Sequence, residues 1–246
     1  MERPYTDEEL LAVLISREVR DGEITACGAL SMIPAAGMLL ARQTHAPDAE
    51  LIILGSTAFM PFHTSRQFHF LCQRGELGLF FLSGVQIDRH ANYNLHLLGP
   101  DPDRPKVRFP GGYGGGMINY AAKRTVLFRT EHSLRCFVPE VDFISAAATT
   151  PPDIRRYGHT SKVITPLAVL ALDVAAARLR LESVHPPYTL EDVTSRTGFD
   201  LGVTGAPAVT EPPTAAELAI LRGEVRDLMV ATNTYGAWAA AHLGAA

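Results

Sequence analysis

Residues 23–54 constrain the fold most, because they contain two apolar runs separated by a segment of helix length. The first run ends at Cys27, a glycine-containing turn covers residues 28–34, and a helix is predicted over residues 35–43. The second run, residues 51–54, contains only Leu and Ile, which is typical of a parallel strand buried on both faces. The pattern therefore predicts a βαβ unit and an α/β fold.

Apolar periodicity predicts further elements along the chain. One helix is capped by Thr6 or Asp7, a second is capped by Thr189, and a third begins at Thr214 with a capping pattern completed by Glu217. Further strands are predicted at residues 77–83, 125–129, 136–144, 163–172 and 178–183, with residues 173–177 as the turn between the last two. We see no repeat or clear boundary, and we interpret residues 1–246 as a single domain.

Composition excludes several classes of protein. A net charge of -4 and a pI near 6.1 provide no basic surface for a phosphate backbone, so we expect no nucleic-acid binding. The N-terminus lacks the pattern of a secretory signal. The sequence contains no uncharged run of eighteen apolar residues, so we expect no membrane span. Three widely spaced cysteines indicate neither a disulfide framework nor a metal site. We therefore expect a cytoplasmic protein without a bound metal.

A glycine-rich stretch at residues 106–119 is the main candidate for a binding site. It contains Gly111, Gly112, Gly114, Gly115 and Gly116, a density that argues against helix or strand interior. Consecutive backbone N–H groups can line a concavity that holds an anion or a developing oxyanion. By itself, such a run is also typical of a flexible surface loop.

Polar side chains follow the predicted strand at residues 77–83. Gln86, Asp88, Asn92 and Asn94 lie where α/β sheets place ligand sites, at the carboxyl end of a strand. We expect some of them to bind substrate. The alternative is that Asp88 and Asn92 only build a tight turn through bonds from side chain to backbone.

Other candidates lie in the first third of the chain. Ser31 and Met32, at the start of the predicted helix, can present N–H groups to an anionic or carbonyl oxygen. His63 and His69 can serve as acid or base, or can be structural, partly buried histidines. Arg66 can anchor a carboxylate or lie free on the surface. Cys27 and Cys72 are better interpreted as core residues than as nucleophiles.

Five segments in order along the chain resemble one known family. They are THAPDAELII at residues 44–53, GVQIDRHANYN at 84–94, KVRFPGGYGGGMIN at 106–119, CFVPEVDFIS at 136–145 and EDVTSRTGFDL at 191–201. Together they resemble the β subunits of family I CoA-transferases, typified by glutaconate CoA-transferase, and the related steroid-ring-degrading acyl-CoA hydrolases. The resemblance implies an open, mostly parallel sheet flanked by helices, of the NagB/RpiA-like class, and an active site shared with an α-type subunit in a heterodimer or α2β2 assembly.

Transferases of this family use a glutamate at the end of the strand that follows an A-P-[DE] motif. Counting from Ala46, Pro47 and Asp48, that position is Leu54 here, and leucine has no nucleophilic atom. Two further positions depart from the family pattern. Ala91 replaces a signature glycine, and Gly116 lies where the relatives generally carry asparagine.

The resemblance and Leu54 together predict the function. We expect a β subunit that acts on a coenzyme A thioester substrate, without a bound cofactor, by C–C bond hydrolysis or decarboxylation. One alternative is a working CoA-transferase whose carboxylate is supplied elsewhere. Another is a non-catalytic subunit that stabilises or regulates an active partner.

Overall fold

The computed structural model describes residues 3–151 and 153–244, and its contacts divide the chain into two compact units. The first unit comprises the residues up to Phe81 and those from Pro212 onward, and the second runs from Leu82 to Glu211. The single domain at residues 1–246 stays a prediction.

The described residues form eight α-helices and thirteen strands. The helices are α1 (Asp7–Ser16), α2 (Met32–Gln43), α3 (Ser65–Gln73), α4 (Gly115–Ala121), α5 (Leu190–Thr194), α6 (Ala215–Ile220), α7 (Arg226–Ala231) and α8 (Gly236–His242), with a π-helical turn, Leu221–Val225, joining α6 to α7. The strands are β1 (Ile24–Cys27), β2 (Glu50–Ile53), β3 (Leu77–Leu82), β4 (Gln86–Asp88), β5 (Tyr93–Asn94), β6 (Leu97–Leu98), β7 (Val107–Arg108), β8 (Arg124–Phe128), β9 (Phe137–Val138), β10 (His159–Ile164), β11 (Ala168–Asp173), β12 (Arg178–Val184) and β13 (Ala208–Val209).

The first unit contains the predicted βαβ arrangement. Strand β1 pairs in parallel with β2 on one side and with β3 on the other, and α2 connects β1 to β2. The buried parallel strand predicted at residues 51–54 is confirmed, one residue earlier than expected. Helix α2 begins three residues before the predicted start, because the turn after β1 is shorter than predicted and ends at Ser31, the N-cap of the helix.

Helices α1 and α2 pack closely in the same unit. The capping prediction at Thr6 is confirmed: its hydroxyl accepts from the N–H of Glu9, and the Glu9 carboxylate accepts from the N–H of Thr6. Gly37 permits the close approach of the helices, since a Cβ there would lie 2.6 Å from the carbonyl oxygen of Ala12. Glu9, only 1% exposed, also pairs with Arg222 at 2.7 Å and so attaches α1 to the C-terminal helices.

The second unit has both parallel and antiparallel strand pairs. Strands β8 and β10 pair in parallel, as do β12 and β13, whereas β11 is antiparallel to both β10 and β12. Two strand predictions need correction here. The strand at residues 163–172 is broken into β10 and β11 by a turn containing Pro166, which lacks the N–H a ladder needs. Of residues 136–144, only Phe137–Val138 is strand.

The two units together confirm the predicted fold class. Four of the six strand pairs described above are parallel, and helices alternate with the parallel strands, as in α/β proteins. In the part of the chain that the structure covers, no helix is long and apolar enough to cross a membrane.

Candidate functional site

The first group of predicted site residues lies at the carboxyl ends of β1 and β2. Leu54 follows β2 directly, and its N–H donates to the carbonyl oxygen of Cys27, the last residue of β1, at 3.2 Å. Ser31 is buried and precedes α2, whose first residue is Met32. The structure therefore brings Ser31, Met32 and Leu54 to one end of a pair of parallel strands.

This end of β2 carries no carboxylate. Glu50 is exposed and pairs with Ile24 at the opposite end of the strand, and residues 51–75 contain neither Asp nor Glu. The position at which the resemblance expects a glutamate thus holds the aliphatic side chain of Leu54, which is partly buried. A carboxylate nucleophile cannot be supplied by that residue.

A tyrosine that is not among the predicted residues occupies this end of the strands. The hydroxyl oxygen of Tyr235, at the start of α8, accepts a hydrogen bond from the N–H of Leu30 at 3.1 Å. The same oxygen lies over Gly55, where a Cβ would be only 2.0 Å from it. Tyr235 is therefore next to Leu54 in space although about 180 residues separate them in sequence.

The segment before Tyr235 is fastened to the end of β2. The hydroxyls of Ser56 and Thr234 share a hydrogen bond of 2.6 Å, and both residues are buried. Asn233 and Tyr235 both have left-handed backbone conformations, with φ of 51° and 55°, which residues other than glycine rarely adopt. These contacts fix where the tyrosine hydroxyl lies.

The ionisable groups at this end are neutral at ordinary pH. Burial and the nearby Cys27 raise the pKa of Tyr235, and the N–H groups of Leu30 and Ser31 offset only part of that rise. Burial also raises the pKa of the Cys27 thiol well above its usual range. The phenol is therefore protonated, and Cys27 is a buried core residue, as predicted, rather than a thiolate.

The second group lies in the other unit, where Gln86 and Asn94 face each other across β4 and β5. The Asn94 amide nitrogen donates to the Gln86 side-chain oxygen at 2.8 Å and to the carbonyl oxygen of Leu97 at 2.5 Å. The Asn94 side-chain oxygen accepts from the N–H of His96 at 3.0 Å. Asn94 is fully buried, so these bonds shape the chain; substrate binding by Gln86 and Asn94 stays a prediction.

Asp88 and Asn92 build the turn between β4 and β5. The Asp88 carboxylate accepts from the backbone N–H groups of His90 and Asn92 and from the Asn92 side chain, at 2.9 to 3.1 Å. Asp88 and Asn92 therefore do build this turn, while a binding role for Asn92 stays a prediction. Within this turn Ala91 has φ of 60°, which explains why the family signature has glycine at that position.

The expectation that the glycine run excludes helix is wrong in part. Gly114 is left-handed, with φ of 80°, and Gly115 and Gly116 form the first turn of α4. These two glycines lie at the end of the helix, where the N–H groups have no intrahelical partner, and not in its interior, where glycine is disfavoured. The N–H of Gly115 donates to the carbonyl oxygen of Gly112 at 2.6 Å, and the Tyr93 hydroxyl donates to the carbonyl oxygen of Gly115 at 2.9 Å.

His96 and Ser145 lie against this loop and are likewise not among the predicted residues. The hydroxyl oxygen of Ser145 is 2.6 Å from Nδ1 of His96 and accepts from the N–H of Leu95 at 2.6 Å. A Cβ on Gly112 would lie 3.1 Å from Cε1 of His96, and one on Gly116 would lie 3.0 Å from the Ser145 carbonyl oxygen. Both distances are shorter than ordinary van der Waals contact, so the chain packs closely at Gly112 and Gly116. Anion binding by Gly112, Gly114, Gly115 and Gly116 stays a prediction.

The last predicted group surrounds α3. His63 and Arg66 are exposed, and His69 is partly buried beside Phe68, with ring centroids 6.1 Å apart. The main role visible here is helix initiation, because Thr64 and Gln67 form a capping box. Acid–base or anchoring roles for His63, Arg66 and His69 stay predictions. Over residues 3–151 and 153–244, no three His, Cys, Asp or Glu side chains are placed to hold a metal.

Comparison with known proteins identifies the family. The coenzyme A transferase family model matches residues 61–196, more than half of the chain. The chain is 26% identical to one subunit of the glutaconate CoA-transferase of Acidaminococcus fermentans (90% of this chain, 92% of that protein) and 29% identical to the cholesterol ring-cleaving hydrolase IpdB subunit of Rhodococcus jostii (84% and 86%). The crystal structure of the decarboxylase AibA/AibB is similar with a TM-score of 0.77 at 25% identity (98% of this chain, 99% of that chain). The fold, the ordered segments and the family match lead to one conclusion: the chain belongs to the coenzyme A transferase family.

Proposed function

We propose that this chain is the β subunit of a heteromeric enzyme that breaks a carbon–carbon bond in the acyl group of a CoA thioester. The reaction is hydrolysis of a 3-oxoacyl-type bond or decarboxylation, and CoA stays attached throughout. The observation that carries the proposal is Leu54, which occupies the carboxyl end of β2 where a transferase needs its glutamate.

The two reactions share their electronic demand. In hydrolysis, water oxygen bonds to the 3-oxo carbon and loses a proton to a base, the bond to the α-carbon breaks, and the electron pair forms the thioester enolate, which is then protonated. In decarboxylation, the carboxylate leaves as CO₂, and the same kind of electron pair is delocalised onto the thioester oxygen. Both need hydrogen-bond donors at that oxygen, and neither needs a nucleophilic carboxylate.

Relatives support this division of chemistry. One similar chain is a subunit of a cholesterol ring-cleaving hydrolase. A similar structure is that of a decarboxylase with two components, AibA and AibB. The glutaconate CoA-transferase relative is likewise one subunit of its enzyme. We therefore propose an α-type partner for this chain and place part of the active site, including the base, on that partner.

The test is product analysis with the complex of this chain and its α-type subunit, expressed together. A panel of saturated, 3-oxo and unsaturated dicarboxylic acyl-CoA thioesters is incubated with the complex and followed by mass spectrometry. The proposal predicts a product that is still a CoA thioester, with a shortened or opened acyl group. Release of free CoA, or its appearance on an added carboxylic acid, would contradict the proposal.

A matched variant tests whether the chain takes part in the chemistry. Gly112→Ala places a methyl group 3.1 Å from the His96 ring, so we expect it to lower activity while the complex still assembles. Gly205→Ala is a poor control because that residue has φ of 92°, whereas Gly223 has open space around it and is suitable. Equal activity of Gly112→Ala and Gly223→Ala complexes would favour a non-catalytic subunit.

A further inference from the structure

We infer that the Tyr235 hydroxyl donates a hydrogen bond to the thioester carbonyl oxygen of the bound acyl-CoA, at the strand end where the family's transferases carry their carboxylate. The inference rests on the proposed function and assigns a group to it that the sequence motifs do not contain. It starts from the position of the phenol oxygen beside Gly55 and Leu30.

The hydrogen bonds around the phenol leave its proton available. Its oxygen accepts the N–H of Leu30, with the N–H of Ser31 also contributing. No acceptor for the Tyr235 proton is found among residues 3–151 and 153–244. A half-buried phenol normally donates as well as accepts, so the O–H is free to bond an incoming oxygen.

Accepting from the backbone also makes the phenol a better donor. Hydrogen bonds in a chain polarise one another, so N–H groups that donate to the phenol oxygen strengthen its own O–H donation. The start of α2 adds the positive end of a helix dipole behind Leu30 and Ser31. Negative charge that develops on a thioester oxygen is thus met by a polarised, neutral donor.

The surroundings admit a substrate and hold the donor still. Gly55 and Leu30 are exposed, Leu30 at 82%, so the hydroxyl lies at the surface of this unit and not deep within it. The buried pair of Ser56 and Thr234 fixes the segment that carries Tyr235. Preorganised donors of this kind need no rearrangement as charge develops.

The experiment uses the complex with the α-type subunit and compares Tyr235→Phe with Tyr5→Phe, a tyrosine that packs against Arg3. We expect Tyr235→Phe to lower kcat about 10²-fold with little change in KM, as for the loss of one oxyanion donor. Tyr5→Phe should leave both unchanged. Replacing Tyr235 by 3-fluorotyrosine, which lowers the pKa of the phenol, should give back the activity that Tyr235→Phe loses. The alkaline limb of the pH–activity profile should then move to lower pH, a shift that a merely structural tyrosine would not cause.

A second readout measures binding of the enolate and is taken before mass spectrometry detects any cleavage product. The enolate of acetoacetyl-CoA absorbs ultraviolet light, so the pKa of the bound acetoacetyl group can be measured by absorbance during a pH titration. Tyr235→Phe should raise that pKa by weakening the hydrogen bond to the enolate oxygen. Wild-type behaviour of Tyr235→Phe in both readouts would overturn this inference alone, whereas a wild-type complex that neither binds nor converts any acyl-CoA would overturn the proposed function and the inference with it.

Discussion

At the scale of single residues, Leu54 and Tyr235 lie together at the end of β2. Leu54 places an aliphatic side chain where the resemblance expects a carboxylate, and the Tyr235 hydroxyl lies beside the adjoining Gly55. A phenol stabilises negative charge on an oxygen but, when protonated, does not attack a carbonyl carbon. Under the proposed function, this arrangement suits enolate formation rather than acyl transfer.

Gly55→Ala tests this contact directly. The new methyl group would lie 2.0 Å from the Tyr235 oxygen, so the phenol must move, and we expect lower activity and a loss of about 1–3 kcal/mol of stability. In a Tyr235→Ala background the same substitution should cost much less, because the clash is gone. Denaturant unfolding of the four proteins gives the coupling, and additive effects would argue against the contact.

The two residues differ in how far sequence could predict them. Leu54 could be located because the A-P-D motif and a four-residue strand fix its place by counting along a continuous segment. Tyr235 reaches the same place through the fold of the C-terminal helices, and nothing in its local sequence specifies that path. His96 and Ser145 are similar, since 49 positions separate two side chains that share a hydrogen bond.

At the scale of elements, capping patterns predicted where three helices begin. Thr6, Thr189 and Thr214 each begin a helix with the reciprocal bonds of a capping box. Helix α3 has the same signature at Thr64 and Gln67 but is not among the predicted elements. The apolar face of α3 consists only of Phe68, Leu71 and Cys72, and the polar residues between them weaken its periodic pattern in the sequence.

The helical segment after Thr214 offers a stability test. Gly223 lies in the π-helical turn and has nothing within 4 Å of where a Cβ would be. Gly223→Ala should therefore stabilise the protein by about 0.5–1 kcal/mol through the helix preference of alanine. Gly37→Ala is the matched opposite, because its Cβ would be 2.6 Å from α1; thermal unfolding that ranks the two in the reverse order would contradict this packing.

A buried histidine predicts how the second unit responds to acid. His132 bonds the hydroxyls of Thr165 and Thr197, each at 2.9 Å, and stacks on Phe137. Burial, followed by the charges of Arg196 and His185, lowers the pKa of His132 from 6.5 to about 4. The unfolded chain therefore binds this proton more tightly, so the stability contribution is complete above pH 6.5 and is lost as the pH falls toward 4.

The size of this effect follows from the linkage between protonation and folding. The shift corresponds to about 3 kcal/mol at 1.36 kcal/mol per pKa unit. His132→Gln removes the titration, so its unfolding free energy should depend less on pH between 6.5 and 4 than that of the wild type. Identical pH profiles for the two proteins would show that His132 is not held neutral.

At the scale of the whole molecule, the proposed function divides the active site between this chain and an α-type partner. The family match and the relatives that are subunits of larger enzymes both support that proposal. Sequence segments were enough to predict the family and the fold class. They could not predict the contacts within each unit, because those depend on residues far apart in the chain.

We expect this chain to take part in acyl-CoA chemistry without forming a covalent acyl or CoA intermediate on its own carboxylates. The most direct measurement is the intact mass of the chain after the complex has been incubated with a turned-over acyl-CoA and quenched with borohydride or hydroxylamine. We predict a mass equal to that of the untreated chain, while the thioester product accumulates. A reduced or hydroxamate-modified Asp or Glu, located by peptide mapping, would contradict the claim.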